Sequence, residues 1–136
     1  MEQSIIYLAL NGVLVLIVSL ISGRWFSKAI KSGGNEVAWR VVHSGGSMGG
    51  IMLIAFSSLV PLLALSKLNS TLFVWFSIIG TWLFVIAMTV AAITNERGLK
   101  SQGSLTNKGV YFTYMFGAVF TLVGCGLLVV GLYSAL

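Results

Sequence analysis

Aspartate is absent from this chain of 136 residues, and its three glutamates, Glu2, Glu36 and Glu96, stand at the edges of apolar runs. Proton-coupled transporters normally carry a carboxylate within the membrane, so a small multidrug exporter is disfavoured. Histidine and cysteine occur once each, His43 and Cys125, far apart in sequence. That pair cannot close a four-ligand zinc site within one chain. A lone cysteine also excludes an intrachain disulfide, and Cys125 reads as a small apolar residue buried on the last helix. Proline occurs once, at Pro61, so little interrupts helical runs. Charged residues make up only 8% of the chain, against about 25% in soluble domains.

What fills the chain is apolar: 57% of residues are hydrophobic. A bilayer core about 30 Å thick needs about 20 apolar residues per helix. Four stretches qualify, roughly 5–22, 37–65, 71–94 and 109–136. The reading is all-α: one four-transmembrane-helix bundle spanning residues 1–136, embedded in the lipid bilayer. The first stretch lacks an early Lys or Arg and is longer than a typical signal-peptide core, so it reads as a retained helix.

The net charge of +5 does not point to nucleic acid, because the basic residues lie at membrane edges. Arg24, Lys28, Lys31 and Arg40 fall in or near the first connection, 23–36. Arg97, Lys100 and Lys108 fall in the third, 95–108, and the second has only Lys67. The positive-inside rule then puts connections one and three in the cytoplasm and both termini outside. The membrane expected is a bacterial inner membrane.

Polar and small residues mark the helices. Asn11-Gly12 in the first helix suggests a hydrogen bond to a neighbouring helix, or else a polar ligand contact. Asn35 is a candidate N-cap for the second helix, with Glu36 suited to the positive end of its dipole. Pro61 should kink or end that helix. Gly117, Gly124 and Gly131, seven apart on the fourth helix, suit close helix packing. Tyr111, Tyr114 and Tyr133 suit an aromatic belt.

The densest signal is Trp39-Arg40-Val41-Val42-His43-Ser44-Gly45-Gly46-Ser47-Met48-Gly49-Gly50. His43 should lie about 9 Å above the helix start, near the membrane surface. Gly46, Ser47 and Gly50 share its helix face, and Arg40 lies one turn closer to water. A neutral imidazole is a good iron ligand. One reading is therefore a half-site for haem: His43 on the metal, the small residues admitting the porphyrin, Arg40 on a propionate. Another is packing, since Gly45/Gly49 and Gly46/Gly50 are both GxxxG pairs, with His43 bonded to a neighbouring helix and Arg40 snorkelling to lipid phosphate. Other ligands remain a third. Bis-histidine ligation would need a second chain; Met48, Met52, Met88 or Met115 could partner the iron or simply fill the core.

The run Ala38-Trp39-Arg40-Val41-Val42-His43-Ser44-Gly45, then Met48-Gly49-Gly50-Ile51-Met52 and Pro61, resembles the styrene oxide isomerase family. Trp82 and Arg97-Gly98-Leu99 look like further matches, so the similarity runs from about 36 to 99. The resemblance implies haem b at the interfaces of a homotrimer, with His43 as axial ligand. It also implies a Meinwald rearrangement of a small apolar epoxide. Three positions depart from the family: Gly49 stands where the family has asparagine, Met88 where it has tyrosine, and Gly80 where it has aspartate. Asn11 or Ser47 is the candidate substitute for them. The alternative to an isomerase is a non-enzymatic haem protein for electron transfer, sensing or storage, with Met88 near the iron. A lesser one is a haem-free packing subunit of a larger membrane complex.

Overall fold

The computed structural model describes residues 2–136. Among them are four long helices, α1 (Glu2–Ser32), α2 (Glu36–Leu59), α3 (Lys67–Thr94) and α4 (Leu105–Tyr133). Each is long and apolar enough to cross a membrane. The all-α, four-span reading of the sequence is the fold observed.

The boundaries differ from expectation for local reasons. α1 runs ten residues past 22, because Arg and Lys are good helix formers and nothing in 23–32 breaks the helix. Arg24, Lys28 and Lys31 are therefore on α1, and the first connection shrinks to 33–35. At about 46 Å, α1 outreaches a bilayer core, which puts these basic turns at the water side. Gly33 stops the helix with φ +67°, and Gly34 N–H donates to Ala29 O at 2.8 Å, the Schellman closure.

Asn35 caps α2 as expected, its side chain accepting from Ala38 N–H at 3.1 Å. α2 ends at Leu59 rather than 65, and Pro61 sits in a 3-10 turn, Val60–Leu62. Proline lacks the N–H that would continue the α-helical ladder. Serine caps start α3 and α4 four residues early: Ser66 accepts from Asn69 N–H and Ser104 from Asn107 N–H.

The helices pair as two hairpins. α1 packs chiefly on α2 and α4 on α3; the pairs join through α2 and α3, and α1 also touches α3. α2 can serve two neighbours because its two GxxxG pairs face different ways. Gly46 and Gly50 meet α1, at Ser19, Gly12 and Leu16, while Gly45 and Gly49 meet α3, at Met88 and Thr81. The seven-residue glycine stripe of α4 packs on α3 as expected. Gly117 faces Gly80 and Gly124 faces Ser77, while Gly131 meets Leu65 just before α3. Between the hairpins, Leu8, Leu53 and Phe73 form one fully buried cluster, and Val15, Val42, Val85 and Met88 another. Cys125 is half-buried rather than buried.

All Lys and Arg but Lys67 gather at one end of the bundle: the C-terminal ends of α1 and α3, the N-terminal ends of α2 and α4, and the loop joining α3 to α4. There Asn35 Nδ2 donates to Asn95 Oδ1 at 2.8 Å, tying the hairpins together.

Candidate functional site around His43

His43 lies on α2 at the seam with α1, half-buried. Its Nδ1 is 2.8 Å from the backbone carbonyl oxygen of Ser19. A carbonyl only accepts, so Nδ1 carries a proton, and the neutral form of the ring then has its lone pair on Nε2. Hydrogen bonding to another span, one of the sequence's readings for a lone intramembrane histidine, is thus realised, and by one nitrogen alone.

Three serines hold this arrangement. Ser47 Oγ donates to His43 O at 2.8 Å and is 2.7 Å from Ser19 Oγ. Ser19 Oγ also donates to His43 O. Ser22 Oγ donates to Ser19 O at 2.6 Å, so that carbonyl serves both a hydroxyl and the imidazole. With no water in the hydrocarbon region, such polar groups have to satisfy one another. Gly23 makes the approach possible: a Cβ there would stand 3.2 Å from His43 Cε1 and Nδ1. Phe26 lies beside the ring, with centroids 6.3 Å apart.

Arg40 is one turn closer to water. It pairs with Glu36 at 3.0 Å and reaches over the Phe26 ring at 5.8 Å. Trp25 and Trp39 stack at 5.7 Å, as tryptophans do at a membrane interface. His43 therefore lies about two turns from the basic end of the bundle. Further along the same two helices, Leu20, Met48 and Ile51 are all exposed.

The structure does not bring all the predicted site residues together. His43, Ser47 and Arg40 share one neighbourhood. The open glycine shelf expected at Gly46 and Gly50 is a correction: α1 fills it. A Cβ at Gly46 would lie 3.1 Å from Ser19 Cβ, and one at Gly50 only 2.7 Å from Gly12 O. Met88 is also elsewhere. It is buried on α3 with its sulfur against Gly45, about 200° around α2 from His43. Met88 lines a cavity of about 410 Å³ between α2, α3 and α4, together with Val41, Arg97, Leu99 and Tyr114; His43 does not line it. Gly49 packs against the Thr81 methyl group and Gly80 against Thr121, so neither opens on the imidazole. Asn11 serves packing: its Oδ1 accepts from Trp82 Nε1–H at 2.9 Å, joining α1 to α3.

The α1 half of this neighbourhood was not singled out from the sequence. Ser19, Ser22, Gly23 and Phe26 lie in or just past an apolar run. Their three- and four-residue spacing marks one helix face, a signal that was present but unused.

The class defined by this fold and neighbourhood is a four-span membrane protein whose one imidazole is held by a neighbouring helix and keeps an unprotonated nitrogen at an outer seam. Comparison with protein families is specific. The family model for styrene oxide isomerase matches residues 6–133, and the chain belongs to that family. The match takes in α1 and α4 as well as the central region that carries the motifs. No curated protein matches the chain.

Proposed function

We propose that this chain is a haem b membrane isomerase that converts a small apolar aryl epoxide to the corresponding aldehyde. The observation that supports it most is the 2.8 Å contact between His43 Nδ1 and the Ser19 carbonyl oxygen. An imidazole that donates Nδ1–H to a backbone carbonyl and keeps Nε2 unprotonated is prepared as an iron ligand. Exposed apolar side chains on α1 and α2, and the Arg40 guanidinium one turn nearer the basic end, support the same reading.

In this reading His43 Nε2 holds the iron. Arg40 holds a propionate, exchanging it for Glu36; an exposed pair of that spacing is worth only about 0.3–0.5 kcal/mol. Ferric haem held there would supply a Lewis acid for an epoxide oxygen, the chemistry that isomerisation of an aryl epoxide to an aldehyde needs, with no co-reactant. α1 fills the seam on one side of His43, so a bound macrocycle would need room on the outer face of the hairpin. That geometry favours a second copy covering it, and a homotrimer with haem between protomers satisfies this. By charge, the Arg- and Lys-rich end lies in the cytoplasm and both termini outside, in a bacterial inner membrane.

The second reading, a haem protein for electron transfer, sensing or storage, is favoured by Gly49, Gly80 and Met88. All three are engaged in helix packing and present no polar group. A Met88 ligand to the same iron would have to come from another copy, because Met88 and His43 lie on different sides of α2. The deciding experiment is an absorption spectrum of the detergent-purified protein with and without styrene oxide, assayed for phenylacetaldehyde. Five-coordinate ferric haem with aldehyde formed upholds the isomerase. A low-spin His/Met spectrum without turnover selects the second reading, and purified protein without haem removes both.

A further inference from the structure

We propose that Ser22 is a positioning residue that tunes the donor strength of His43 by sharing the Ser19 carbonyl with the imidazole Nδ1–H. The inference rests on the reading of His43 as an iron ligand, but its first readout needs no iron.

Ser19 O lies 2.6 Å from Ser22 Oγ and 2.8 Å from His43 Nδ1, so two donors use one acceptor. The hydroxyl draws electron density from the oxygen that the imidazole also needs. Ser22 and Ser19 are both buried, and water does not dilute the competition. The ring cannot evade it. The backbone of α1 at Gly23 comes close to the ring, and the other carbonyl at this seam, His43 O, already accepts from the Ser19 and Ser47 hydroxyls. Orientation and tautomer are therefore set by α1, while Ser22 sets how strongly Nδ1–H is bound. A more strongly bound Nδ1–H gives the ring more imidazolate character and makes Nε2 a better donor, the usual effect of a partner behind a metal-ligating histidine. By occupying part of Ser19 O, Ser22 holds that donation down and so leaves bound iron a stronger Lewis acid.

His43 is the only histidine, so a histidine-labelled chain yields one imidazole nitrogen pair. The full chain, ¹⁵N-labelled at histidine and reconstituted without haem in lipid nanodiscs, should show a protonated Nδ1 and an unprotonated Nε2. Ser22→Ala should move the Nδ1–H proton signal downfield. In the ferrous haem-loaded protein the same change should raise the iron–histidine stretching frequency and lower the reduction potential. Ser22→Thr and Ser22→Val are close to isosteric and fit beside the apolar cavity that Ser22 lines. The threonine variant should resemble wild type and the valine variant Ser22→Ala, which keeps the test valid if alanine disturbs folding. A proton on Nε2 instead of Nδ1, or a Nδ1–H signal that does not follow the hydroxyl at position 22, overturns the proposal. A wild-type chain that takes up no haem but shows the nitrogen shifts would remove the iron reading while leaving the shared carbonyl standing.

Discussion

Alanine at position 50 tests whether the α1–α2 contact sets the geometry at His43. A Cβ there would lie 2.7 Å from Gly12 O, 2.7 Å from Leu16 Cγ and 3.0 Å from Leu16 N. Two of these atoms are backbone and cannot rotate away. Ordinary contact begins at 3.4 Å, so the helices must part by about 0.7 Å, and overpacking of this kind costs about 1–3 kcal/mol. Carried along the seam to His43, the same displacement stretches the 2.8 Å contact between Nδ1 and Ser19 O to about 3.5 Å, where little of the hydrogen bond remains. Alanine also returns about 0.5–1 kcal/mol through its better helix propensity. Gly126, with nothing within 4 Å of an added Cβ, supplies the control for that gain. Unfolding in mixed micelles with rising dodecyl sulfate, followed by tryptophan fluorescence, measures both variants. Gly50→Ala should be less stable than Gly126→Ala by about 1–3 kcal/mol and should carry a weaker Soret band. Equal stability with an unchanged spectrum would refute the argument that backbone contact at this glycine pair positions the imidazole.

His43→Ala should abolish the Soret band of the purified protein; a full band in this variant would rule out ligation by His43. Arg40→Ala should raise the rate of haem loss without preventing binding, and an unchanged rate would remove its role at a propionate. Trp82→Phe deletes the indole donor to Asn11 Oδ1 and should cost about 0.6 kcal/mol, and no more than about 1.7, as for interhelical hydrogen bonds in membranes. Its absorption spectrum should match wild type, and a clear shift would mean that Asn11 reaches the haem rather than only α3.

Much of the fold was legible because it follows from solvent. Long apolar runs with few charges have to be helices in a bilayer, and a proline or a glycine with left-handed backbone ends them. Helix ends were less legible where the signal was charge. Arg24, Lys28 and Lys31 read as a loop, yet their long stems let α1 continue into water. At the site, His43 and Arg40 were legible as rare polar groups beside a glycine-rich stretch, and the place of His43 near the start of its helix followed from counting residues. The role of the glycines did not follow. Gly46 and Gly50 suit an open shelf and a helix contact equally well, because glycine leaves room without saying what enters it.

Residue chemistry and periodicity alone thus determined a four-span membrane protein with one titratable ring near the surface, since both depend only on the solvent each side chain tolerates. Which helix lies against that ring was decided by tertiary structure. α1 brings Ser19, Ser22 and Gly23 to His43 from some twenty residues away. The same packing turns Gly49, Gly80 and Met88 into neighbouring helices. A helix face has several candidate partners of equal apolarity, and only the three-dimensional fit of small residues against backbone chooses among them.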